Sequence, residues 1–203
     1  MIELHKKYKS GTVLEILQEA ILSGTLSGEI TQDELALSLQ TSRMPVREAL
    51  IALEYQGLIE RTPSQHSKII SFDYKSINEI FNDMALFEIE SFKNFSLEKI
   101  HALLAIDEQI DFHKSLIKNI NIPFRKKMLE ILTGIYLTFV LEHSENLIEI
   151  NAAFKNLIQT IKNNTLDFKN ISECYKNYSE ILSKEFMKIR KENNLLDVKF
   201  ETR

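Results

Sequence analysis

Along most of the chain apolar residues recur every three or four positions, the spacing of one face of an α-helix. Val13, Leu14, Leu17, Ile21 and Leu22 mark such a face over residues 12–23. Thr31 and Glu34 have the spacing of a capping box, so a second helix starts there and carries Leu35, Ala36 and Leu39. Gln40–Thr41 interrupts it. Ser42 is placed to cap a third helix, Pro45 falls in its first turn, where a missing N–H costs nothing, and Gly57 stops it. Val46, Leu50 and Leu53 of this helix share an inward face, while Arg43 and Arg47, four apart, share another. Leu58–Arg61 and Lys68–Ser71 then read as two strands of a hairpin, with Gln65 and His66 at its tip and Lys68 at its base.

From Phe72–Lys75 onward the pattern is helical to the end. Ser76 is expected to cap a helix whose stripe runs through Ile77, Ile80, Phe81, Met84, Phe87 or Glu88, Phe92 and Phe95. Ser96 caps the next, with Ile100, Leu103, Leu104, Ile110, Leu116 and Ile117. Pro123 opens a strongly apolar helix over about residues 123–142, which belongs at the centre of a bundle or at a dimer interface. Ser144 is expected to cap a helix through Ile150, Phe154 and Leu157, and Asp167 a last one through Ile171, Cys174, Tyr178, Leu182 and Phe186. Residues 193–203, approximately, read as a loose tail or a minor contact. Five such helices make an antiparallel bundle. The expected fold is therefore mainly α: an N-terminal winged helix-turn-helix, residues 1–73, then an antiparallel α-helical bundle, residues 74–203.

Composition narrows the class without naming a function. The chain has 203 residues, 44% hydrophobic and 27% charged, which suits a globular protein. Only 5 Gly and 3 Pro favour helices over turn-rich β structure, and the single cysteine, Cys174, excludes an internal disulfide and reads as a small buried hydrophobe. No apolar signal core or membrane-spanning run is present, so a cytoplasmic protein without membrane contact is expected. Net charge is −4, and acids slightly outnumber bases over the first 75 residues, so DNA binding would rest on local placement of Arg43, Arg47, Lys68 and the Lys6–Lys7–Lys9 cluster.

The segments DELA, SRMPVREAL and GLIERTP, preceded by LQEAILSGTLSG, resemble the winged helix of the GntR (gluconate-operon repressor) family of bacterial transcription regulators over residues 12–71. The resemblance implies double-stranded DNA as partner. It puts Ser42, Arg43, Met44, Pro45 and Arg47 at DNA-contacting positions, with Gln65 and His66 in the wing; Lys68, at the wing's base, is a further DNA-binding candidate. Asp33 stands where relatives often have Arg or another polar donor, and an acid there would repel phosphate. Farther on, DEQIDFHKSLIKNINIPF resembles the D-x-x-F-H…NP signature of the FadR-like (FCD) subfamily, whose bundle holds an effector and often a divalent metal on one Asp and three His. Here His113 matches the FH histidine, while Gln109, Phe154 and Tyr178 occupy the other ligand positions, so no metal or other cofactor is expected. These four residues are candidates for an effector pocket, against the alternative that His113 is a core histidine bonded to Gln109. The run from Glu88 to His113 is shorter than in relatives, and Met84 replaces an arginine common among them.

Three functions follow for weighing. One is a homodimeric, sequence-specific regulator on a palindromic operator, with a bundle for dimerisation and small-molecule sensing. Another is a winged-helix protein–protein module, with the acidic surface and Asp33 favouring a basic partner; steep weakening with salt would mark DNA binding instead. The third is a helical-bundle enzyme. No nucleophile–base pair, Gly-rich phosphate loop or paired catalytic carboxylates support it, and Glu88, Glu90, Asp107 and Asp111 read as acids on solvated faces.

Overall fold

A computed structural model describes the backbone of residues 12–62, 66–163 and 167–200, with side chains as far as residue 191. The Lys6–Lys7–Lys9 cluster and Gln65 lie outside the described residues. The fold is mainly helical with one small antiparallel sheet. By its contacts the chain divides into two compact units, Met1–Phe72 with Arg190–Arg203, and Asp73–Ile189. Among the described residues no helix is long and apolar enough to cross a membrane.

In the first unit, α1 is Val13–Leu22, capped by a reciprocal Thr12–Glu15 box. A strand β1, Glu29–Ile30, precedes α2, Gln32–Ser38, which opens on the expected Thr31–Glu34 box. The turn after α2 places Gln40 at φ 52, left-handed backbone that side chains other than glycine seldom adopt. Helix α3, Arg43–Tyr55, ends where Gly57 takes φ 72. Strands β2, Ile59–Arg61, and β3, Ser67–Ile69, complete a sheet of order β1-β3-β2. The hairpin was expected; its third strand was not. Leu17, Ile21, Leu35, Val46, Leu53, Leu58 and Ile69 form the core, each contributing about 1.5–3 kcal/mol by leaving water. Arg190 closes the open C-terminal end of α1, its Nη1 donating to the carbonyls of Ile21 and Leu22 at 2.6 Å each, with its guanidinium 5.3 Å from the Phe72 ring centre. Burial pushes the Arg190 pKa down.

The second unit is helical. Helix α4, Tyr74–Phe92, is capped by Asp73, with Ser76 three residues on completing the box, so the helix starts before the expected Ser76 cap. The single helix expected after Ser96 is two, α5, Leu97–Leu104, and α6, Gln109–Lys118. Asp107 and Glu108 lie just before α6, where the partial positive end of the helix dipole favours acids. Pro123 occupies the first turn of α7, Pro123–Ile131. The expected continuous helix then widens to π geometry over Leu132–Leu137 before α8, Thr138–His143. Thr138 Oγ1 donates to the Thr133 carbonyl, five residues back, at 3.0 Å. Ser144 ends α8; its Oγ accepts from Asn146 N–H and donates to Glu185, so it braces the turn before α9, Leu147–Asn163. Helix α10, Phe168–Phe200, starts at an Asp167 cap and continues through most of the segment expected to be a loose tail. Phe81, Phe112, Leu116, Leu129, Leu157, Leu182 and Phe186 fill the interior. Cys174 is half-buried rather than buried, its Sγ 3.2 Å from Thr160 Oγ1.

Candidate nucleic-acid interface and a buried polar cluster

Helix α3 has two distinct faces. Val46, Ala49, Leu50 and Leu53 are buried, whereas Ser42, Arg43, Met44 and Arg47 are exposed at the opposite, N-terminal side and Pro45 is half-buried. Ser42 sits at the N-cap, yet its side chain makes no capping bond; instead the start of α3 is tied down from α2, where Gln32 Nε2 donates to the Arg43 carbonyl at 2.7 Å. Asp33 does not stand as an isolated acid. It receives the Arg43 fork, Nη2 to Oδ2 at 2.9 Å and Nε to Oδ1 at 2.6 Å. Arg47 makes no ion pair among the described residues.

In the wing, Thr62 N–H and Oγ1 both bond the His66 carbonyl at 2.9 and 3.1 Å, closing the loop. His66 Nδ1 lies 3.6 Å from Glu29. Lys68 is exposed at the middle of β3, in register with Glu29 on β1 and Glu60 on β2. Such cross-strand neighbours attract and reduce the outward positive potential. Helix and wing thus present cations, most of them beside an acid. Side chain first and backbone second, Thr31 hydrogen bonds hold the Glu34 carboxyl below the usual range, with a smaller contribution from His66.

In the second unit, Gln109, His113, Phe154 and Tyr178 are brought together inside the bundle. The His113 ring stacks on Tyr178 with centroids 6.2 Å apart and lies 5.9 Å from Phe154. All four are buried. The bonding differs from the sequence expectation. The partner of His113 is not Gln109 but Glu88, whose Oε1 is 2.6 Å from Nδ1. Gln109 instead accepts from Tyr178 Oη at 2.7 Å and donates to Asn151. Glu88, expected on a solvated face, is fully buried, and its Oε2 accepts from Tyr175 Oη at 2.9 Å. Burial first, then the Glu88 charge, raises the pKa of Tyr175 and Tyr178 well above the usual phenol value. His113 Nε2 has no hydrogen-bond partner among the described residues.

These residues do not fit a metal ion: one imidazole set among aromatic rings supplies too few ligands, and no three His, Cys, Asp or Glu converge among the described residues. A surface cleft of about 670 Å³ adjoins the cluster, with Gln109, Asn151, Leu141, Leu147, Glu142 and Lys155 among its lining residues.

Residues 9–67 match the family model of bacterial regulatory proteins, gntR family. Solved structures share the fold. One is described by the words "Lar controls the expression of the Listeria monocytogenes agr system and mediates virulence", with a TM-score of 0.56 and 15% identity over 87% of this chain and 95% of that one. E. coli McbR/YncC gives 0.52 at 19% identity, over 92% of this chain and 100% of that one. A putative transcriptional regulator GntR from Rhodococcus sp. RHA1 gives 0.50 at 17%, over 86% and 95%. At these identities the likeness is one of fold. No curated protein matches the chain.

Proposed function

We propose that the chain is a sequence-specific, DNA-binding transcriptional regulator of the gntR type, acting in the cytoplasm as a homodimer on a palindromic operator. The observation that carries this reading is α3, whose apolar face is buried while Arg43 and Arg47 are exposed one turn apart at its N-terminal end. In a helix-turn-helix that end enters the major groove, where a guanidinium pairs bidentately with guanine O6 and N7. Met44 offers an apolar contact of the kind thymine methyl groups accept. Ser42 and Pro45 lie at the helix start beside the phosphate path. His66 and Lys68, with Gln65, serve the wing's contacts to the backbone. One helix reads few base pairs, so two half-sites about one helical turn apart supply the affinity.

The second unit provides dimerisation, in the manner of a shortened FadR-like bundle, and senses a small molecule at Gln109, His113, Phe154 and Tyr178. Gln109 supports the second role, since it joins the buried cluster to the adjoining cleft. The chain is a binding protein and not an enzyme on this reading.

The test is selection of duplexes from a random pool, followed by titration of Arg43→Ala and Arg47→Ala on the enriched sequence. Each substitution is expected to cost about 1–3 kcal/mol of affinity with the helical signal unchanged. Unchanged affinity in both removes the assignment. A second reading, a protein-binding winged helix, is favoured by one feature: Met44, Ile51 and Tyr55 expose 63%, 48% and 64% of their surface on α3. DNA binding weakens steeply with salt through counterion release, whereas binding of a protein through this patch would not.

A further inference from the structure

Resting on the DNA-binding reading, we infer that Asp33 is a specificity-determining positioning residue: it presents Arg43 to a guanine rather than sequestering it. The fork between them uses one particular edge of the guanidinium. Asp33 takes Nε and Nη2, the side edge. The end edge, formed by Nη1 and the second N–H of Nη2, carries two parallel donors and has no partner among the described residues. That edge has the geometry needed for guanine O6 and N7. One acid can therefore hold the arginine while leaving its reading edge open.

Both partners are fixed to stiff backbone. Asp33 lies in the first turn of α2, where the helix dipole favours an acid, and Arg43 is the first residue of α3. Gln32, beside Asp33, anchors the Arg43 carbonyl. The side chain and the backbone of Arg43 are thus both referenced to the start of α2. The pair stands in water, with 72% and 62% of the two side chains exposed, so it adds little to stability. Its effect falls on the many rotamers of a free arginine, which it reduces before DNA arrives. Neutralising Arg43 also lowers sequence-independent attraction to phosphate, so discrimination rises twice over.

The full chain is titrated with the duplex enriched by the unmutated protein and with a scrambled duplex of the same length. Asp33→Asn should bind the scrambled duplex more tightly and lose about 5- to 10-fold of discrimination, at the lower end of the range that one bidentate contact supplies. Asp33→Glu keeps the charge but displaces the carboxylate by one methylene, and it should lose discrimination too. Repeating the selection with Asp33→Asn should relax the same base pair that Arg43→Ala relaxes. Unchanged or improved discrimination in Asp33→Asn, or full retention in Asp33→Glu, overturns the inference while leaving DNA binding intact. Failure of the unmutated chain to enrich any sequence overturns the DNA-binding reading, and this inference with it.

Discussion

Replacing Glu88, His113 and Tyr175 one at a time should cost far more than replacing all three together. Glu88 is fully buried and accepts two hydrogen bonds, from His113 and from Tyr175. Glu88→Met preserves volume but orphans two buried donors, each worth about 1–3 kcal/mol, so a loss near 4 kcal/mol is expected. His113→Leu leaves a buried carboxylate with one donor, a loss of about 3–5 kcal/mol. Tyr175→Phe removes one donor, about 1–3 kcal/mol. In the triple variant none of these three positions keeps a polar group to satisfy, and Tyr178 still donates to Gln109. Apolar replacement of a buried ionic group is often neutral or stabilising, so the triple should lie within about 2 kcal/mol of the native chain. Urea titration followed by far-UV circular dichroism suits a mainly helical chain with no tryptophan. Midpoints convert to free energies only while the slope with denaturant is the same in every variant. If the three single losses simply add in the triple, the groups are not acting as one network and the reasoning fails.

Gly57→Ala tests the end of α3: a Cβ there meets nothing within 4 Å, so the cost is purely that of φ 72, about 1 kcal/mol, read from the shift in urea midpoint. An unchanged midpoint would show that the turn has moved. The Glu34 box makes an acid-side prediction. Its carboxyl is held below the usual value by Thr31, so its stabilisation is complete above the unfolded pKa of about 4.3 and is lost as pH falls through the lower folded value. The midpoint difference between the native chain and Glu34→Gln should therefore shrink below about pH 4. A difference independent of pH would exclude that origin. The same titration on Arg43→Ala and Arg47→Ala, both altered at exposed positions, should show stabilities within about 0.5 kcal/mol of native, separating their DNA effect from unfolding.

What the sequence made legible was local. A Thr–Glu pair three apart, a proline in a first turn and a glycine after the last turn are short-range signals, and α2, α7 and α3 begin or end where those signals stand. The features that escaped depend on distant partners or have no period. Strand β1 has two residues, too few to show alternation, and exists through pairing with β3. Phe87 and Glu88 compete for one position on the stripe of α4. The choice goes to Glu88 because of His113 and Tyr175, 25 and 87 residues away. For the same reason His113 could be placed in the core by its stripe while its partner was misassigned to Gln109. Asp33 could be noticed as an acid near the start of α2, but pairing it with Arg43 required the angle between two helices.

The π turn over Leu132–Leu137 sets a constraint on comparison with any relative. Closing hydrogen bonds five residues back instead of four accommodates one more residue in that turn than a regular α-helix does. A relative whose helix runs regular throughout should match α7 and α8 of this chain only across a single-residue gap near Gly134. Forced into gapless register, every inward side chain from Phe139 onward would be compared with a residue about 100° away around the axis.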